Sequence, residues 1–217
     1  MSMLKKKHWL ILGLFLLTPT AFAQEEAAAG SNSIGLLGGF STNKHMVLQT
    51  GIGVPGLQTK FLVGVLDRLD VGGILELNWS EIRDEDFALR FQGAIRYSFY
   101  DNGKVGLSAG GAPGLRVAFL GGGQGTAIDV LLHMDFSAGV RLTSNFIASV
   151  AFEIPLELWT KGKFSAFIPL VASTGLEYGV TSSFKLWAKI SAGHGFSTMS
   201  GGSLNLFSFH SGAAFAF

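Results

Sequence analysis

The chain has 217 residues, 48% of them hydrophobic, a mean hydropathy of +0.40, sixteen Lys and Arg against fifteen Asp and Glu, and no cysteine. So mild a charge balance gives no basic surface for nucleic acid, and the lack of cysteine excludes a disulfide framework. Beyond the first apolar run, no stretch is long and uncharged enough to span a bilayer as a helix, which leaves a soluble β-core or a membrane barrel.

At the start, Lys5, Lys6 and Lys7 precede an apolar run from Trp9 to Leu17, then Thr18-Pro19-Thr20 and Ala21-Phe22-Ala23-Gln24. A basic n-region, a short h-region and an A-x-A site predict a secretory signal peptide over residues 1–23, cleaved between Ala23 and Gln24. Its removal leaves thirteen basic residues against fifteen acidic ones. Residues 24–43 read as an N-terminal leader and 44–217 as the folded domain.

From residue 44 onward the pattern has period two, the signature of strands with two unlike faces. The first pair is expected at about Lys44–Gly53 and Leu57–Leu66. From Phe87 the odd positions are Phe87, Leu89, Phe91, Gly93, Ile95, Tyr97 and Phe99, interleaved with Ala88, Arg90, Gln92, Ala94, Arg96 and Ser98. From Ile128 an apolar even set runs to Leu142 against Asp129, His133, Asp135 and Arg141. From Phe146 one face is Phe146, Ala148, Val150, Phe152, Ile154, Leu156 and Leu158, against Ser149, Glu153 and Glu157. These stretches exceed the roughly 5–6 residues of an average soluble strand and match the 9–11 tilted residues needed to cross hydrocarbon.

The last residues, Phe207 to Phe217, read F-S-F-H-S-G-A-A-F-A-F and alternate to the final aromatic. Here the chain resembles the bacterial outer-membrane β-barrel proteins of Gram-negative organisms, whose assembly signal is a C-terminal amphipathic strand ending in Phe; Phe215 and Phe217 match it. The phrase Gly64–Gly72 resembles a strand–turn–strand unit recurring in small barrels of that kind. The resemblance implies an all-β fold, a transmembrane antiparallel up-and-down barrel in the bacterial outer membrane. It also implies lipid and lipopolysaccharide surroundings, insertion machinery during assembly, and a periplasmic C-terminus.

Counting back from that end places tight turns at Val180–Ser182, Thr143–Asn145, Asp101–Gly103 and Asp67-Arg68, and outer loops at Ser80–Asp86, Leu120–Gly125, Trp159–Lys163 and Thr198–Ser203. About ten strands result, with eight and twelve as alternatives. Ser33–Phe40 has three readings: an extension of the first strand, an additional strand, or a periplasmic or lumenal segment.

Parity assigns to the lumen Lys60, Glu76, Arg90, Arg96, Arg116, Asp129, His133, Asp135, Arg141, Glu153, Glu157, Glu177, Lys185, Lys189 and His210. Seven are basic and six acidic, so ion pairing across the interior is expected, since an unpaired charge in a narrow lumen is costly. Glu153 and Glu157 share one strand face, as do Lys185 and Lys189, and the two pairs face each other if their strands lie opposite.

His194 with Ser197, and His210 with Ser211, fall on opposite faces, so neither forms a nucleophile–base pair. Asp129, His133 and Asp135 share a face without a clustered His pair, and no metal or cofactor is expected. The expectation is a non-enzymatic barrel, structural or a narrow pore for small solutes. The alternatives are a surface interaction or adhesion protein acting through its outer loops, with Ser80–Asp86 the most charged, and a lipid-modifying hydrolase. Oligomeric state is not legible in the pattern.

Overall fold

The computed structural model describes residues 35–79, 85–120, 125–160, 165–198 and 203–217. The signal peptide, its cleavage site and residues 24–34 lie outside them. Ten strands form: β1 (Met46–Val54), β2 (Gly56–Leu66), β3 (Leu69–Asn78), β4 (Glu85–Asp101), β5 (Val105–Leu120), β6 (Gly125–Arg141), β7 (Phe146–Trp159), β8 (Ser165–Gly179), β9 (Phe184–Ser197) and β10 (Ser203–Ala216). Each pairs antiparallel with its sequence neighbour, and β10 closes on β1 with Val47 opposite Ala216. Closure removes both sheet edges, the condition for a β-structure in lipid.

The expected ten strands and four tight turns are all present, with small shifts in bounds. The first strand begins at Met46 rather than Lys44, and the Ser80–Asp86 segment is shorter as a loop because β4 starts at Glu85. The turns at 67–68, 102–104, 142–145 and 180–183 lie at one end together with Met46 and Phe217. We call it the turn end, and the opposite one the loop end. Phe217 extends the closure there by exchanging backbone hydrogen bonds with Met46 at 2.9 and 3.2 Å.

The polarity of the wall is inverted relative to a soluble barrel. Phe136 and Phe207 are 62% and 64% exposed, and Phe61, Phe91, Phe152 and Ile190 join them on the outside. Arg116, Asp129, Asp70 and Glu177 are buried inside. So much contiguous apolar surface facing outward fits hydrocarbon and not water. The chain is a transmembrane barrel of the outer-membrane type.

Candidate functional site

The lumen is divided. At the turn end it is filled by Gly35–Thr42, which runs inside the barrel before reversing at Asn43 and Lys44 into β1. Of the three readings of Ser33–Phe40, the described part of the segment adopts the lumenal one. It is held mainly through its backbone. The Leu36 and Leu37 N–H groups donate to Glu177 Oε1 at 2.9 and 2.8 Å, and the Gly35 carbonyl accepts from Arg96 at 2.9 Å. Gly39 N donates to Ser108 Oγ and Ser137 Oγ at 2.9 and 3.1 Å, while Ser98 Oγ donates to the Gly39 carbonyl. Thr42 donates to Asp70 from both its N–H and its hydroxyl.

Small residues on the wall make this close approach possible. Phe40, 1% exposed, lies against Gly106 and Gly139, which face each other across β5 and β6, with the Arg141 guanidinium 3.9 Å over its ring. Gly38 and Gly39 have φ of 139° and 81°, where side chains are strained. A Cβ on Gly39 would also overlap the Gly139 backbone. Leu36 packs with Val47, Trp187 and Ala214.

Around this plug the lumen charges pair. Arg96 meets Asp70 at 2.7 Å, both almost fully buried. Lys185 approaches Glu177 at 3.9 Å, and Arg141 approaches Asp101 at 3.7 Å. Further along, Lys189 meets Glu153 at 2.6 Å, with His133 Nε2 3.4 Å from the same carboxylate and Ser173 donating to it. Arg90 meets Glu157 at 2.6 Å and Glu76 at 3.8 Å, and Gln58 also donates to Glu76. Arg116 and Asp129 pair at 2.7 Å. Lys60 and Asp135 line a small space of about 100 Å³ beside Leu36, Leu37 and Gly38, and His210 lines the larger cavity above it.

The idea that Glu153 and Glu157 face Lys185 and Lys189 is half corrected. Lys189 reaches Glu153, but Lys185 goes to Glu177 and Glu157 to Arg90, because β7 and β9 are separated by one strand and do not lie opposite. Asp70 was missed. It lies in the strand–turn–strand phrase two residues past the Asp67-Arg68 turn and is absent from the parity list, yet Arg96 stands directly across from it in β4, and that register is the signal that finds it. With Asp70 and with Asp101, which the register shift after Ser98 brings opposite the inward-facing Gly106, eight carboxylates among the described residues face the seven lumen cations.

The loop half is open. A cavity of about 380 Å³ occupies it, bordered by the Arg90, Glu153, Glu157 and Lys189 groups and by Leu131, Phe167, Val171, Trp187 and Leu206. Trp159 and Phe167 stack at 5.8 Å, and the Trp159 indole N–H points to Glu157 Oε2 at 3.3 Å. This volume lies within the roughly 300–1,000 Å³ of small-molecule sites. The apolar lining was also missed, since Phe167, Val171 and Trp187 lie on the same strand faces as charged residues.

No family model and no curated protein matches the chain. Among solved structures it is similar to the outer-membrane protease OmpT of Escherichia coli, at 8% identity and a TM-score of 0.43, over 87% of this chain and all of that one. It is also similar to a loop-deletion mutant of the outer-membrane protein OmpT of Vibrio cholerae, at 10% identity and a TM-score of 0.33, over 80% of this chain and 98% of that one.

Proposed function

We propose that the chain is a non-enzymatic integral protein of the outer membrane, with its turn end periplasmic, whose lumen is closed by its own N-terminal segment and conducts only when that segment leaves. One observation carries this reading: Phe40, Leu36 and Thr42 are buried in the turn half of the lumen, and the backbone on either side of Phe40 is hydrogen-bonded to the wall. A ten-stranded lumen is only slightly wider than one that side chains fill by themselves, so one strand-like segment suffices to stop it.

The absence of catalysis is supported by where the histidines go. His194 Nδ1 meets Asn205 on the exposed face, His133 meets a paired carboxylate, and His210 lines the cavity with its neighbour Ser211 on the opposite strand face, so none of these three is paired with a nucleophile. The test is single-channel recording in a planar bilayer. Native protein is expected to be silent, and Gly39→Val, which forces the segment off Gly139, is expected to give discrete small steps. Stable steps from the native protein, or silence from a folded Gly39→Val barrel, overturn the reading.

A further inference from the structure

The barrel wall has one seam unlike the others. In an antiparallel ladder, alternate residue pairs exchange two N–H···O bonds and the pairs between them exchange none. Between β7 and β8 the pairing runs to Glu153↔Val171 and resumes at Glu157↔Phe167, so residues 154–156 and 168–170 are unpaired across this seam. The register puts Pro155 directly opposite Pro169, at a position where each residue would donate to the other. Neither has an N–H, so both bonds are lost.

The β4–β5 ladder offers a control. There Pro113 stands opposite Gly93 and the pairing lapses only over residues 93–94 and 112–113, since one proline removes one bond. Gln92 also ties the two strands, donating to the Ala112 carbonyl at 3.0 Å.

Depth makes the β7–β8 break informative. Pro155 is four residues from the loop-end terminus of β7, and Pro169 four from that of β8. For strands tilted 35–45° that is about 10 Å into the wall. The outer face around it carries Ile154, Leu156, Ile168 and Leu170, so the break faces hydrocarbon, where an unsatisfied carbonyl is costly. Inside, it meets the 380 Å³ cavity, which Pro155, Phe167, Pro169 and Val171 line from the inner face.

We propose that the β7–β8 seam is a lateral doorway and that the loop-half cavity binds the hydrocarbon chain of a single-chain amphiphile from the adjoining leaflet. A water-borne solute needs no break at membrane depth and gains nothing from an apolar rim. A chain already in the leaflet needs both, and it meets Phe167 and Val171 on entry, with Trp187 at the floor of the cavity against the plug, while the ion pairs stay in place. The proposal rests on the barrel being embedded in a membrane and is independent of whether the plug moves.

Trp159 and Trp187 report on it from inside. In protein carrying Trp9→Phe and Trp79→Phe, reconstituted in phosphatidylcholine vesicles, 9,10-dibromostearic acid is expected to quench their emission saturably. Bulk dibrominated phosphatidylcholine is expected to quench weakly and without saturation. Adding Pro155→Val and Pro169→Val restores both donors to the ladder, and at least a tenfold weaker saturable response is expected from that barrel. If the double variant does not fold, Ile154→Cys with Leu170→Cys replaces it, in a chain otherwise free of cysteine: quenching should fall on oxidation and return on reduction. Quenching without saturation in the parent protein overturns the binding site. Saturable quenching unchanged in the sealed proteins overturns the doorway and puts entry at the barrel mouth. Plug failure registers separately, as conductance.

Discussion

The two halves of the lumen solve the same problem in opposite ways. Both must fill a ten-stranded cylinder whose outside is apolar. The turn half does so with a piece of the chain, and its wall is made of residues that leave room: Gly106, Gly139, Ser98, Ser108 and Ser137. The loop half keeps a large side chain on the wall, Phe167 lying over Gly195, and retains a cavity that reaches down to Trp187, which covers Gly51 and packs on the plug's Leu36. Small wall residues invite a backbone to enter; large ones hold a space open for something else. The division of labour implies that the turn half carries stability and closure while the loop half carries recognition.

The largest expected effect lies in the turn half. Arg96 holds Asp70 at 2.7 Å and also the Gly35 carbonyl, so it joins wall to plug. Arg96→Ala leaves Asp70 buried without its cation, and removing one partner of a buried pair typically costs about 3–5 kcal/mol. Urea unfolding in lipid vesicles should show that loss. Replacing both partners by apolar residues, Arg96→Met with Asp70→Leu, should recover much of it while still weakening the plug. A loss below about 1 kcal/mol for Arg96→Ala would place stability elsewhere and break the comparison.

An intermediate effect lies in the loop half. A Cβ at Gly195 would run into the Phe167 ring, so Gly195→Ala must swing that ring into the cavity. Overpacking of this kind typically costs about 1–3 kcal/mol. Unfolding should therefore change less than in Arg96→Ala, while saturable quenching by dibromostearic acid should fall several-fold. Equal quenching in Gly195→Ala and native protein would separate the cavity from any binding role.

How far such differences were legible in the residue pattern depends on what kind of periodicity each leaves. Strand number and the inward charges follow from alternation, because every residue of a barrel wall must choose lipid or lumen. Asp70 escaped because it stands beside a turn, where alternation and turn chemistry compete for the same residues. The plug left no periodic trace. Leu36, Leu37 and Gly39 are held by backbone N–H groups, and any residue with an N–H could supply those, so only the two positive-φ glycines hint at the contact. The opposed Pro155 and Pro169 are visible individually, but their meaning depends on cross-strand register between β7 and β8, which no local window contains.

The smallest expected effect tests the plug from its rim. Lys44, where the segment turns into β1, meets Asp67 at 2.6 Å in the β2–β3 turn, and both side chains are largely exposed. Hydrogen bonding and the Lys44 charge hold the Asp67 carboxyl below the usual carboxylate range. A depressed folded value means that the pair's contribution is present above the unfolded pKa, about 4, and is lost as pH falls through the folded value. At neutral pH it is therefore fully formed, but salt at about 0.15 M screens an exposed pair strongly. Asp67→Asn should leave the urea midpoint within error at that salt and pH 7. A small destabilisation should emerge at low ionic strength, and the variant should converge with native protein once acid has protonated Asp67. A large effect at neutral pH and ordinary salt would mean that the plug is anchored at its rim and not by Glu177, Ser108, Ser137 and Asp70 from within, and the wall glycines would then be only a bed for a segment held elsewhere.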